Sequence, residues 1–100
     1  AMEPGMVVTI EPGIYKQGKH GIRTENVVVV REDIETPSGK FLSFEMLSWC
    51  YIDTDCVDSV LLNTKELSWL NNYNAEVFSR LSILLDDEHK EWLKYKTKRI

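Results

Sequence analysis

The sequence predicts an α+β protein, an antiparallel sheet followed by two C-terminal helices. Three observations carry that expectation. Two runs, Met6-Val7-Val8-Thr9-Ile10 and Ile22 to Arg31, are rich in β-branched residues. Turn-forming clusters separate the extended segments. From Leu67 onward the apolar residues recur at helical spacing instead.

Met6 to Ile10 reads as the first strand. Lys16-Gln17-Gly18-Lys19-His20-Gly21 then reads as a turn joining two β-rich runs, which sets the strands on either side of it next to each other. Within the second run, the uninterrupted Val27-Val28-Val29-Val30 predicts a central strand covered on both faces. Thr36-Pro37-Ser38-Gly39-Lys40 is the next turn cluster, and Phe41 to Ile52 is expected to continue the sheet as an extended pair or short strand. Asn63 with Glu66 three residues later forms the pattern of a helix N-cap and capping box. Leu67, Leu70, Val77, Phe78, Leu81, Leu84 and Leu85 follow as the apolar face of one amphipathic helix that covers the sheet. Asp86-Asp87-Glu88 opens a second helix docked by Trp92 and Leu93, and the Lys and Arg residues of its last turn complement the helix dipole. The expected organisation is a β-rich part, residues 1–62, with a helical segment, residues 63–100, packed on it as one structural unit.

A chain of 100 residues is one domain at most, and it buries only roughly 60–65% of the surface its unfolded form exposes. No apolar run approaches the roughly 20 residues a membrane span needs. The net charge is −4, and no block of Lys or Arg is long enough to neutralise several phosphates, so neither membrane nor nucleic acid is an expected partner. Cys50 and Cys56 lack zinc-ligand spacing and are expected to be buried free thiols. Ala1-Met2 reads as an artificial start to a piece of a longer protein.

The chemistry lies in two short motifs, Thr9-Ile10-Glu11-Pro12-Gly13-Ile14-Tyr15 and Gly21-Ile22-Arg23-Thr24-Glu25-Asn26. Each sets a carboxylate beside a strand end. Glu11-Pro12-Gly13-Ile14 has the Pro and Gly that a type II turn requires. Two acids on adjacent strands can share a metal, although strand ends also commonly carry solvated carboxylates. Arg23 lies on the same strand face as Glu25, two residues away, where it can orient the acids or offset their repulsion; simple surface pairing is the other reading. His20, in a basic turn, and His89, on a helix, are expected to be solvated surface residues.

The two motifs, read through Val27, resemble the end of the catalytic domain of the pita-bread metallopeptidases, the group of aminopeptidase P, prolidase and methionine aminopeptidase. Phe41-Leu42-Ser43-Phe44-Glu45-Met46-Leu47 and Glu66-Leu67-Ser68-Trp69-Leu70-Asn71-Asn72-Tyr73-Asn74 resemble the C-terminal segment of eukaryotic-type Xaa-Pro aminopeptidases. The resemblance implies the C-terminal fragment of a pita-bread fold. It also implies a cytoplasmic parent enzyme that removes the N-terminal residue of peptides with proline in second position. In that family two Asp, one His and two Glu hold two divalent metal ions, commonly manganese. By resemblance Glu11 is a terminal ligand, Glu25 bridges both ions, and Arg23 supports them without being a ligand. The Asp and His ligands belong to segments preceding residue 1, so the isolated chain is expected to be inactive and to bind no metal tightly. A non-catalytic peptide-binding or assembly module is the alternative. Thr24 and Asn74 depart from the apolar residue and the His expected at those places. The chain is also expected to form a homodimer or to self-associate, through an edge at Val27 to Val30 laid bare by the missing strands.

Overall fold

Asn26–Thr36 runs without a glycine or proline and forms the longest strand, β4. In the computed structural model, which describes residues 1–100, this strand lies between β1 (Val7–Ile10) and β5 (Gly39–Met46), giving an antiparallel sheet of order β1-β4-β5. Val28, Val29 and Val30 are 1%, 6% and 0% exposed. Because neighbouring residues of a strand point to opposite faces, β4 is buried on both. The central strand predicted from four consecutive valines is therefore present. The same finding corrects the self-association route: Val27–Val30 is no edge, since both of its sides are paired.

A second, two-stranded ribbon is formed by β2 (Gly13–Lys16) and β3 (His20–Arg23). Gly18 closes its loop at φ 69°, and Lys19 N–H donates to the Lys16 carbonyl at 3.0 Å. Between β4 and β5 the link is only Pro37-Ser38, with Thr36 paired to Gly39. The ladder breaks between Glu32 and Glu35, a bulge near the sheet's end. Past Met46 the chain leaves the sheet and runs irregularly to a 3-10 turn, Ser59–Leu61.

The chain divides into two compact units, Ala1–Trp49 and Cys50–Ile100. Helix α1 (Thr64–Leu81) organises the second. Its predicted start is present in full. Asn63 Oδ1 accepts from Lys65 and Glu66 N–H at 2.9 and 3.0 Å, and Glu66 Oε2 accepts from Asn63 N–H at 2.9 Å. Leu70 and Val77 are buried as expected, but so are Asn71, Tyr73 and Asn74. Asn74, 1% exposed, accepts from Ile52 N–H and donates to the Ile52 carbonyl, both at 2.9 Å. Asn71 pairs in the same way with both backbone groups of Ile100 at 3.0 Å, and the Tyr73 hydroxyl donates to the Cys50 carbonyl at 2.8 Å. The irregular segment is thus gripped by its backbone.

Cys50 and Cys56 are free but exposed, where burial was expected. Leu84 also departs from expectation, at 76% exposed. The helix tightens to a 3-10 turn at Ser82–Leu84, whose 3.0 residues per turn rotate the face away from the α-helical register. Ser82 is buried there instead. Helix α2 (Asp87–Lys96) starts from Asp86, whose Oδ1 accepts from His89 N–H at 2.9 Å. Leu93 is buried; Trp92, half exposed, meets Tyr51 edge-on at 5.4 Å. Lys96 reaches Asp53 and Asp55 at 3.1 and 2.9 Å.

Replacing Asn74 by Leu strands two backbone groups of Ile52, so urea denaturation should show a loss of about 2–4 kcal/mol. The pH dependence follows from Asp53. Asp55 N–H, and after it Lys96, hold the Asp53 carboxyl below its ordinary value. A depressed carboxylate contributes stability that is present above its unfolded pKa of about 3.9 and lost as pH falls through its folded value. The melting temperature of wild type should exceed that of Lys96→Met at neutral pH, and the gap should close below about pH 4.

Candidate metal centre

β1 pairs with β4 from Val7↔Val29 to Ile10↔Asn26, and β2 pairs with β3 from Gly13↔Arg23 to Lys16↔His20. The two ladders share one register. One step beyond Ile10↔Asn26 sets Glu11 opposite Glu25; the next sets Pro12 opposite Thr24; the third is Gly13↔Arg23. Thr24 N–H donates to the Pro12 carbonyl at 3.2 Å, and Pro12 has no N–H to return. The ladder is interrupted for that reason, while the hairpin runs on from residue 7 to residue 29.

Glu11-Pro12-Gly13-Ile14 is therefore not the type II turn expected. Gly13 does not have a positive φ; the chain continues extended from β1 into β2. Glycine is required for space. A Cβ at Gly13 would stand 2.7 Å from the Tyr15 hydroxyl, and one at Gly21 would stand 2.7 Å from Tyr15 Cδ1. Tyr15 lies flat across both glycines, a role its place in the motif did not reveal.

Period two puts Thr9, Glu11 and Tyr15 on one face of the hairpin, and Arg23 and Glu25 opposite them on the same face. Pro12↔Thr24 is a hydrogen-bonded position, so Glu11↔Glu25 is the non-hydrogen-bonded kind, in which Cα atoms approach to about 4.5 Å. Like charges placed there repel. The local answer is a chain of hydrogen bonds: Thr9 Oγ1 donates to Glu11 Oε1 at 2.8 Å, Arg23 donates to Glu11 Oε2 at 2.6 Å, and Arg23 Nε donates to the Tyr15 hydroxyl at 2.6 Å. The guanidinium also lies 5.6 Å from the Tyr15 ring centre. Its pKa is pushed up, first by the Tyr15 hydroxyl and then by Glu11 and Glu25. Arginine is charged at any physiological pH regardless, and of the two acids it is Glu11 that the guanidinium bonds.

The arrangement fits part of a metal centre. Glu11 and Glu25 offer hard oxygen donors of the kind divalent cations prefer, and a carboxylate oxygen that accepts one hydrogen bond keeps a lone pair for coordination. No group of three or more His, Cys, Asp or Glu in the chain could hold a metal ion, so the two acids by themselves do not make a metal site. His20 begins β3 on the opposite face of the hairpin, and His89 bonds Asp86 at 2.7 Å on the exposed side of α2. Both are surface residues, as the sequence suggests.

Residues 40–100 match the C-terminal region of peptidase_M24, and residues 1–32 match metallopeptidase family M24. The chain is 40% identical over 97% of its length to a probable Xaa-Pro aminopeptidase P of Coprinopsis cinerea. It is 42% identical over 92% of its length to aminopeptidase P2 of Arabidopsis thaliana. It spans 16% and 14% of those relatives. The crystal structure of X-prolyl aminopeptidase from Caenorhabditis elegans, a cytosolic enzyme with a di-nuclear active site, matches 99% of this chain with a TM-score of 0.82 and 36% identity. The chain covers 17% of that protein.

Tyr15→Phe removes the acceptor of Arg23 Nε–H, and Gly21→Ala forces the ring aside. Proton exchange at Arg23 Nε, followed by NMR, should become several-fold faster in both variants; unchanged exchange would mean that Tyr15 does not hold the guanidinium.

Proposed function

Because the chain belongs to metallopeptidase family M24, with the closing part of its pita-bread fold, we propose that it is the C-terminal part of an Xaa-Pro aminopeptidase. The whole enzyme would remove the N-terminal residue from peptides with proline in second position. The observation that carries this reading is the register that sets Glu11 and Glu25 at directly opposed positions on one hairpin face, with Arg23 bonded to Glu11.

In this reading Glu11 and Glu25 would be among the residues that hold two divalent ions. Manganese suits such oxygen donors. When bound, a two-metal centre polarises the scissile carbonyl and makes a nucleophile available from water at neutral pH. The chain's own residues prepare the ligands. Thr9 and Arg23 fix the rotation of the Glu11 carboxylate, and Tyr15 fixes Arg23 against the two glycines. Supporting groups of this kind matter because misoriented ligands bind metal more weakly. The remaining ligands are proposed to come from segments outside residues 1–100, which leaves the 100-residue chain inactive. The reading further proposes a cytoplasmic enzyme that acts as a homodimer.

In the full-length protein Glu25→Gln should lower turnover of an Xaa-Pro peptide by more than the roughly 10–100-fold typical of losing an outer-shell partner, while Arg23→Lys should fall within that range. Metal analysis of the same samples reads the cause. Normal turnover of Glu25→Gln with two metals bound would remove Glu25 from the site.

A further inference from the structure

Glu11 and Glu25 are held by different means. Glu11 is gripped at its carboxylate, by Thr9 on one oxygen and by Arg23 on the other. Glu25 is placed through the main chain at the start of β4. On the β1 side that main chain is tied on both flanks, by the Ile10↔Asn26 pair and by Thr24 N–H donating to the Pro12 carbonyl. In an antiparallel sheet the backbone groups of successive residues turn to opposite neighbours, so Glu25, Val27 and Val29 turn theirs toward β5.

β5 does not reach Glu25. Its last residue in the ladder is Met46, opposite Val28, after which the chain leaves the sheet. The next pair would be Val27 with Leu47, and half of it is regular: Leu47 N–H donates to the Val27 carbonyl at 2.9 Å. The return bond is not. Val27 N–H donates to Ser48 Oγ at 2.8 Å, where a regular strand would offer the Leu47 carbonyl. Ser48 N–H also reaches the Val27 carbonyl, at 3.2 Å. One serine therefore closes on both backbone groups of Val27, and its hydroxyl stands in for the carbonyl that the departing chain does not supply. This is the last main-chain tie on the β5 side of β4 before Glu25. Asn26 and Val28, on either side of Val27, are 8% and 1% exposed, so the clamp sits on an anchored part of the strand and not on a fraying end.

We propose that Ser48 is a positioning residue for Glu25: by clamping Val27, two residues further along the same edge of β4, it fixes where the Glu25 carboxylate is presented to a metal ion. The inference rests on the metallopeptidase reading of Glu25. It assigns part of the rigidity of the metal centre to a hydroxyl 21 positions beyond Val27 in the chain.

Manganese binding to the metal-free full-length protein tests this. Ser48→Ala removes the acceptor, and the dissociation constant for manganese should rise roughly threefold to tenfold, short of the roughly 10–100-fold expected of a group bonded directly to a ligand. Ser48→Thr keeps the hydroxyl and should bind manganese as wild type does. Hydrogen exchange at the Val27 amide of the metal-free protein should quicken several-fold in Ser48→Ala and not in Ser48→Thr. If Ser48→Ala fails to fold, Ser48→Cys, which offers only a weak sulfur acceptor, must show the same rise. Wild-type manganese affinity in the folded variant would overturn the proposal. So would unchanged exchange at Val27, or a Ser48→Thr protein that binds as weakly as Ser48→Ala. If Glu25→Gln loses manganese while Ser48→Ala retains it, the metallopeptidase reading stands and this inference alone falls; a Glu25→Gln protein that keeps both ions removes the two together.

Discussion

Two carboxylates held directly opposite each other on a hairpin constrain everything around them. At the close, non-hydrogen-bonded position the Glu11 and Glu25 side chains leave the backbone side by side, and like charges there destabilise the pairing. The hairpin keeps them nonetheless because the strands on both sides are locked in one register, by β1 with β4 and by β2 with β3. Arg23 then supplies the compensating charge, and Tyr15 keeps it in place. An isolated exposed ion pair such as Arg23–Glu11 contributes little to folding, so the network is better understood as orientation than as cement.

The sequence details of the first motif follow from that geometry. Pro12 interrupts the ladder beside Glu11, which separates the two carboxylates from regular strand pairing without changing the direction of the chain. Gly13 and Gly21 are bare so that Tyr15 can lie over them. The same alternation gives the hairpin its second face, where even-numbered residues form an apolar hollow. One short ribbon thus presents two unlike surfaces.

Much of this was legible in advance. Valine clustering identified the buried central strand, and Asn63 with Glu66 identified the helix start, because both signals are local. The carboxylate pair was legible through its spacing about a turn. What failed had an ambiguous or distant cause. Glu11-Pro12-Gly13 fits a type II turn as well as it fits a broken ladder, and only the neighbouring Tyr15 ring decides between them. Leu84 was assigned to a helix face that the 3-10 turn rotates away. The grip of Asn71 and Asn74 is not legible from helical spacing, since the backbone groups they hold lie 29 and 22 positions away.

The proposed function rests on Glu11 and Glu25 forming one wall of a two-metal site in the full-length protein. Anomalous diffraction from crystals of that protein, recorded at the manganese edge after loading with the metal, tests it most directly. Two metal peaks are expected, both within coordination distance of the Glu25 carboxylate and one of them also beside Glu11. Metal peaks remote from this hairpin, or a pair held without Glu25, would contradict it.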